Sequence, residues 1–186
     1  MSMDYSIYTN PPDAVSNRAF ETYCLSLGLR VKLHPDLNLL TDEGFAPVCL
    51  TDDRFSQNGG NRFMTGFESY PSPYQPVAQN APKPRGLLGL LHKKPKAETP
   101  FEKKIKDSSF VFALHCSGMD SFEPVLASLM AAFCIRNYGG IFDDPQSGRY
   151  YDNAEELEQE IAAAVDDLSA EAEKGNLRTH PFEGWL

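Results

Sequence analysis

The chain has 186 residues, of which 41% are hydrophobic and 23% are charged, and its formal net charge is −9. This length and composition are typical of one soluble domain with a sizeable core, and no apolar run approaches the roughly 18 residues of a membrane span. An acidic chain is a poor candidate for nucleic-acid binding, because phosphate contacts supply most of that affinity.

The first half of the chain predicts a strand, a helix and further strands. Residues 4–8 favour a short strand. A helix follows, because apolar residues recur at helical spacing: Phe20, Tyr23, Cys24 and Leu27. Gly28 is placed to end it. Residues 29–33 alternate between apolar and polar side chains, which indicates a half-buried strand. Residues 45–50 form another apolar run, and Pro47 within it predicts an edge strand.

The middle of the chain is the least regular. Residues 52–75 favour a loose hairpin that turns at residues 58–60, which read Asn-Gly-Gly. Residues 71–100 carry seven prolines, and residues 81–106 hold eight basic side chains against two acidic ones. We therefore expect residues 76–104 to be an irregular, basic, proline-rich insertion or linker.

The last part of the chain predicts a strand, a buried helix, a hairpin and a final helix. Residues 109–116 are apolar and favour a central strand. Asp120 and Glu123 have the spacing of a capping box. Residues 125–135 are apolar nearly all round, which is typical of a buried helix. Residues 141–151 then indicate a hairpin with its turn at Asp144–Gly148.

The final helix is predicted from Asn153 onwards, with Asn153 and Glu156 as its cap. Its apolar residues form one stripe: Leu157, Ile161, Val165, Leu168 and Ala172. The predicted fold class is therefore α+β, with helices packed on a mostly antiparallel sheet, in a single domain that spans residues 1–186.

The stretch FVFALHCSGMDSF, residues 110–122, tests whether Cys116 is a nucleophile. A strand that runs into His-Cys and then a helix is how protein tyrosine phosphatases present their catalytic cysteine. In that signature an arginine stands six residues after the cysteine, but here the position is Phe122, and Asp120 adds a negative charge. Both departures weaken phosphate binding. His115 is not expected to act as its base, because neighbours on a strand point to opposite faces. We expect a core thiol and no enzymatic activity.

Metal and cofactor sites are not expected either. The four cysteines form no CxxC or CxxH pair, and each lies in an apolar stretch typical of a buried thiol: Cys24, Cys49, Cys116 and Cys134. The stretch that begins at Asp144 resembles a calcium loop only superficially, because Gln146 and Gly148 stand where oxygen ligands are needed. The histidines share no ligand spacing. The N-terminal stretch has neither a basic nor a long apolar segment, so the cytoplasm is the predicted location.

Charge on the final helix indicates a basic partner. Residues 143–175 hold eleven acidic side chains against Arg149 and Lys174. Glu155, Glu158 and Asp166 fall on or beside the face opposite the apolar stripe. Like charges at this spacing repel slightly, so a helix face with only acidic residues is less stable locally. It produces a negative electrostatic potential that favours a basic partner.

The ending NYGGIFDDPQSGRYYDNAEELEQEI resembles the strand–helix–hairpin–helix close of immunity proteins that neutralise bacterial polymorphic and secreted toxins. The resemblance covers about a third of the chain. It implies binding to one cognate toxin or effector with a basic surface, by occlusion of its active site. The hairpin residues would anchor the partner, with the acidic helix alongside: Asp143, Asp144, Arg149, Tyr150, Tyr151, Glu155, Glu158 and Asp166.

Two other classes of function stay open on the sequence. One is a small cysteine- or histidine-dependent enzyme that uses Cys116 or a histidine with the loop at residues 52–67. The other is a self-associating adaptor domain whose basic insertion is the docking segment, and a homo-oligomer is compatible with either. No membrane or nucleic-acid partner is expected.

Overall fold

A single antiparallel sheet organises the chain in the computed structural model, which describes residues 2–11, 13–55, 63–76 and 98–178. Within these residues, seven strands lie in the order β2-β3-β4-β5-β1-β6-β7, and every ladder is antiparallel. The strands are β1 (Met3–Thr9), β2 (Val31–Leu33), β3 (Gly44–Leu50), β4 (Phe63–Pro73), β5 (Phe110–Cys116), β6 (Ile141–Asp144) and β7 (Arg149–Tyr151). The predicted α+β class and the central position of β5 are confirmed.

Three helices cover one face of this sheet, and a fourth, short helix lies beside β6. The helices are α1 (Asn17–Ser26), α2 (Pro100–Lys106), α3 (Glu123–Tyr138) and α4 (Ala154–Glu173). α3 lies across β1, β4, β5 and β6, with α1 and α4 packed against it. Eleven of its residues are buried, as its apolar composition predicts. It ends at Gly139, whose φ of 69° is the left-handed conformation that glycine adopts most readily.

Strand alternation separates the two faces of the sheet. On β5, Phe112, Leu114 and Cys116 point into the core, whereas Ala113 is exposed and His115 half-buried. The register continues this division onto β1, since Phe112 and Leu114 pair with the buried residues Ile7 and Tyr5, and Cys116 pairs with half-buried Met3. The face away from α1, α3 and α4 is called the open face below.

Pro47 corrects the predicted position of β3, which is an inner strand and not an edge strand. The proline is tolerated because β2 is short and pairs only with residues 48–50. Residues 44–47 of β3 are paired with β4 alone. The missing N–H of Pro47 therefore does not interrupt pairing between β3 and a second neighbouring strand.

The segment 52–75 also differs from its prediction. Instead of a loose hairpin within this segment, the structure has a short 3₁₀ turn at Asp53–Phe55 and one strand, β4, of 11 residues. β4 forms the hairpin with β3, because its apolar residues face the core across from those of β3. The predicted turn at residues 58–60 lies outside the described residues.

The end of the predicted insertion is helical and not irregular, because α2 begins at Pro100. A capping box starts it: the Thr99 hydroxyl accepts from the Glu102 N–H at 3.1 Å, and the Glu102 carboxylate accepts from the Thr99 N–H at 2.6 Å. Residues 77–97 of the insertion lie outside the described residues.

We expect Gly66→Ala to lower the free energy of unfolding by about 1–3 kcal/mol, the usual cost of overpacking. Gly66 pairs with Pro47 on β3, and a methyl group at Gly66 would collide with the Ala46 carbonyl oxygen and the Phe45 ring. The urea midpoint measures the effect. Ser72→Ala, at an exposed position of the same strand, is the control and should change stability by less than about 0.5 kcal/mol. Equal midpoints for the two variants would contradict this close approach.

Candidate functional site

Cys116 lies at the end of β5 in an environment that suppresses its reactivity. The residue is completely buried. Burial is the largest cause that raises the pKa of its thiol to about 12, and the negative charges of Glu123 and Asp4 raise it further. Because the thiolate is the nucleophilic form, a thiol with this pKa is almost wholly protonated near neutral pH.

The loop after Cys116 holds a carboxylate of the chain itself. Both carboxylate oxygens of Glu123 accept from the Ser117 hydroxyl at 2.9 Å, and one also accepts from the Gly118 N–H at 2.9 Å. These are the kinds of donors that a phosphatase loop offers to phosphate. A substrate phosphate would have to displace Glu123, which is only 3% exposed.

The predicted capping box at this point is also corrected. α3 begins at Glu123, with Phe122 at the N-cap and no side-chain cap. Asp120 is buried and accepts from the Phe122 N–H at 2.7 Å, so it shapes the turn before the helix. The Glu123 carboxylate reaches back to the loop, where it accepts from the Gly118 N–H.

The hairpin β6–β7 divides the predicted binding residues between two sides of the sheet. Asp143 pairs with Tyr150, and their side chains belong to the open face. Asp144 pairs with Arg149, and these residues share the side of buried Tyr151, towards α4. Since strand neighbours alternate, residues adjacent in sequence cannot all anchor one partner.

Arg149 joins the hairpin to α4. Its guanidinium donates to Glu160 at 2.6 Å and to Glu156 at 2.7 Å, and it lies 4.6 Å from the centre of the Tyr151 ring. The Tyr151 hydroxyl donates to the other oxygen of Glu160 at 2.7 Å. The Asp144 carboxylate accepts from the backbone N–H groups of the turn. Arg149, Tyr151 and Asp144 therefore hold the hairpin in place.

Charge on α4 is less one-sided than predicted. Glu158 accepts two hydrogen bonds from the Arg136 guanidinium, at 2.7 and 2.6 Å, and one from the Tyr23 hydroxyl at 2.7 Å. Its side chain is 15% exposed, so it connects α4 to α1 and α3 and is not presented to solvent. Of the predicted acidic set on this helix, Glu155 and Asp166 are exposed.

The open face carries a shallow trough of about 360 Å³ that sequence reasoning missed. It is formed by β1, β4 and β5 and is lined by Asp4, Tyr5, Ser6, Glu68, Tyr70, Ala113, Leu114 and His115. One row of paired residues crosses five strands at this level: Tyr70, Ala113, Ser6, Asp143 and Tyr150. At about 4.8 Å per strand, the two tyrosines stand about 19 Å apart.

Aromatic side chains stand at both ends of this row. Tyr70 is 43% exposed and Tyr150 is 44% exposed, while Ser6 and Ala113 between them are small. Tyr150 stacks on Phe101 of α2, with ring centres 5.5 Å apart, which supports its ring from one side. Phe45, on β3, is also exposed and pairs with Glu68 at the next level. The surface therefore has rigid aromatic edges and a low floor.

The trough is acidic. Asp4 and Glu68 line it, Asp143 lies beside it, and no lysine or arginine is among its described lining residues. The Tyr70 hydroxyl donates to Glu68 at 2.8 Å. His115 Nδ1 lies 2.6 Å from an Asp4 oxygen, and this hydrogen bond raises the pKa of His115.

The alternation of side-chain polarity along the strands contained a sequence signal for this surface. In β1, β4 and β5 the alternate residues that face away from the core are mostly polar or small, with Met64 and Val111 as exceptions, which is typical of a strand with one solvent face. What was missing from the sequence was the strand order, which brings residues from distant segments together.

No metal site or membrane span emerges from the described part of the chain. No group of three or more histidine, cysteine, aspartate or glutamate side chains there could hold a metal ion. No helix within the described ranges combines the length and apolarity needed to cross a bilayer. No protein-family model, curated protein or solved structure matches this chain.

Burial predicts that Cys116 resists alkylation. Iodoacetamide near neutral pH should leave it unmodified in the native protein over a period that modifies all four cysteines in urea, because every thiol is buried. Met119→Cys is the matched control, since Met119 lies in the adjoining loop with 68% of its surface exposed. Peptide mass spectrometry reads the sites. Rapid modification of Cys116 in the folded protein would contradict a buried, protonated thiol.

Glu158→Gln should destabilise the fold by roughly 1–3 kcal/mol near neutral pH, as expected for lost hydrogen bonds to a charged group. The Arg136 hydrogen bonds lower the pKa of Glu158 in the folded state. Its contribution is therefore complete above the unfolded value of about 4.3 and is lost as the pH falls through the lowered folded value.

Urea unfolding at a series of pH values measures this dependence. The difference in the free energy of unfolding between wild type and Glu158→Gln should become smaller as the pH falls below about 4. There the wild-type carboxylate becomes protonated and, like glutamine, carries no charge. Glu155→Gln, on the exposed face of the same helix, is the control. A gap that is independent of pH would mean that the charge of Glu158 does not contribute.

Proposed function

We propose that this chain is a binding protein that takes a basic partner protein on the open face of its sheet. The observation that carries the proposal is the trough, where Tyr70 and Tyr150 flank a low floor and where the carboxylates outnumber the one ionisable base of the described lining, His115. Tyrosine is enriched among residues that dominate binding energy, and complementary charge speeds the encounter.

The shape of the surface supports a protein partner. The row from Tyr70 to Tyr150 crosses five strands, so a ridge or extended segment can lie along it and contact both rings. Ser6 and Ala113 leave room between the rings for an inserted side chain. A lysine or arginine there would meet Asp4 or Glu68, and the Tyr70 ring offers a face for a cation.

The partner that we propose is a toxin or effector that the chain neutralises by covering its active site. This role comes from the resemblance of the C-terminal third to immunity proteins, and the acidic trough supports it because such pairs use opposite charge at their interface. Asp143 and Tyr150 of the predicted hairpin site belong to the proposed surface. Glu155 and Asp166 lie on α4, on the other side of the sheet.

Binding kinetics test the proposed surface. A tagged form of the chain captures its partner from native cells, mass spectrometry identifies that partner, and surface-based kinetics follow with both proteins purified. Neutralising Glu68 and Asp143 together should lower the association rate constant about tenfold and reduce its dependence on salt. The matched control removes the same charge from α4, with Glu155→Gln and Asp166→Asn, and should change the rate little.

Tyr70→Ala should act on dissociation instead, raising the dissociation rate constant by about tenfold or more if the ring is an anchor. Coexpression should also protect cells from the toxicity of the partner, and Tyr70→Ala should weaken that protection. If the α4 variant lowers the association rate constant more than neutralisation of Glu68 and Asp143 does, the interface lies on α4 and not on the open face. A captured partner that is harmless to cells would refute the immunity role.

A further inference from the structure

A second surface, between α1 and the edge strand β2, has the opposite charge. A cleft of about 270 Å³ lies there, lined by Arg18, Glu21, Thr22, Leu25, Arg30, Val31, Lys32 and Thr51. The charged residues of this described lining are three cations and one carboxylate, in a chain whose net charge is −9. We propose that this cleft binds a small phosphomonoester, through its dianionic phosphate.

The cleft forms because α1 turns one face to the core and the opposite face outwards. Phe20, Tyr23 and Cys24 are buried against the sheet. Arg18 and Leu25 fall on the outward side, seven residues and about two helical turns apart. The next strand, β2, supplies the facing wall, since α1 lies directly beside it.

The single carboxylate among the described lining residues is already hydrogen-bonded. Glu21 accepts from the Lys32 ammonium at 2.9 Å with one oxygen, and from the Leu33 N–H at 3.0 Å with the other. It therefore anchors Lys32 at the cleft and covers an outward N–H of the edge strand. Among the described residues, neither the Arg18 nor the Arg30 guanidinium donates to Glu21.

Those two guanidinium groups are the binding groups of the proposal. Within the described part of the chain, no hydrogen bond or ion pair holds the guanidinium group of Arg18 or Arg30. Cations that line one cleft repel one another, and an anion between them relieves that repulsion. Arginine binds phosphate through two parallel hydrogen bonds, and a dianion suits two arginines and a lysine better than a carboxylate does.

The remaining lining residues define the rest of the ligand. Thr22 and Thr51 carry hydroxyl groups that can donate to phosphate oxygens. Leu25 is 56% exposed and, with Val31, provides an apolar wall. The cleft volume lies just below the range of small-molecule sites, which is about 300–1,000 Å³, so the ligand must be small. A phosphate on a short or planar apolar group fits this lining better than inorganic phosphate alone.

The experiment titrates the full chain with inorganic phosphate and with phenyl phosphate at constant ionic strength, followed by amide chemical shifts and calorimetry. We expect saturable binding that shifts the amides of residues 18–32, with phenyl phosphate binding more tightly. Binding should strengthen from about pH 5.5 to about pH 7.5, because the second phosphate pKa is about 6. Acetate is the monoanion control and should bind at least tenfold more weakly.

Two variants with opposite expected effects test the residues. Replacing both Arg18 and Arg30 by alanine should weaken phenyl phosphate binding at least tenfold. Glu21→Gln keeps an oxygen for the Leu33 N–H but removes the negative charge, so it should tighten binding about threefold to tenfold. The matched control replaces Lys103 and Lys106 of α2 by alanine, which removes the same charge elsewhere, and should leave affinity unchanged.

Three results would overturn the proposal. They are no saturable binding of either phosphate, equal weakening by the α2 control, and no tightening by Glu21→Gln. Because Glu21→Gln predicts a gain of affinity, impaired folding cannot imitate the expected result. The cleft is separate from the open-face trough, so its failure would leave the proposed protein interface untouched.

Discussion

Burial of α3 is the constraint on which the rest of the structure depends. Its residues are apolar nearly all round, so one side must be covered by the sheet and the other by further helices. α1 and α4 provide that second cover, and both therefore lie on the same face as α3. The opposite face of β1, β4 and β5 is left with mostly polar and small residues, and the trough is the outcome of this one-sided layering.

Alternation along each strand then assigns the role of each side chain near the proposed interface. In the hairpin, Tyr150 faces the trough, whereas Arg149 and Tyr151 face α4 and are bound by Glu156 and Glu160. The same rule puts Cys116 in the core and His115 on the open face. An interpretation based on consecutive residues therefore mixes groups that stabilise the hairpin with groups that are available to a partner.

Some carboxylates are hydrogen-bonded inside the fold, which explains why this acidic chain has surfaces of different charge. Glu123 is held by the loop after β5, and Glu158 joins three helices through Arg136 and Tyr23. Such groups stabilise the fold and contribute little potential to solvent. Carboxylates on the open face, and guanidinium groups beside β2 that no described residue binds, then create an acidic surface and a basic cleft on one small protein.

The sequence by itself determined the local features of this protein, because helical and strand periodicity depends on neighbouring residues. The burial of α3, the hairpin of β6 and β7 and the central apolar strand were all predicted. Tertiary structure alone decided which charges are paired and which residues share a surface. Asp4, Glu68 and His115 meet in the trough only because β1, β5 and β4 are neighbours, although long stretches of chain separate them. Pro47 illustrates the same limit: its place on an inner strand is tolerated because β2 is short, and strand pairing between distant segments leaves no mark on local periodicity.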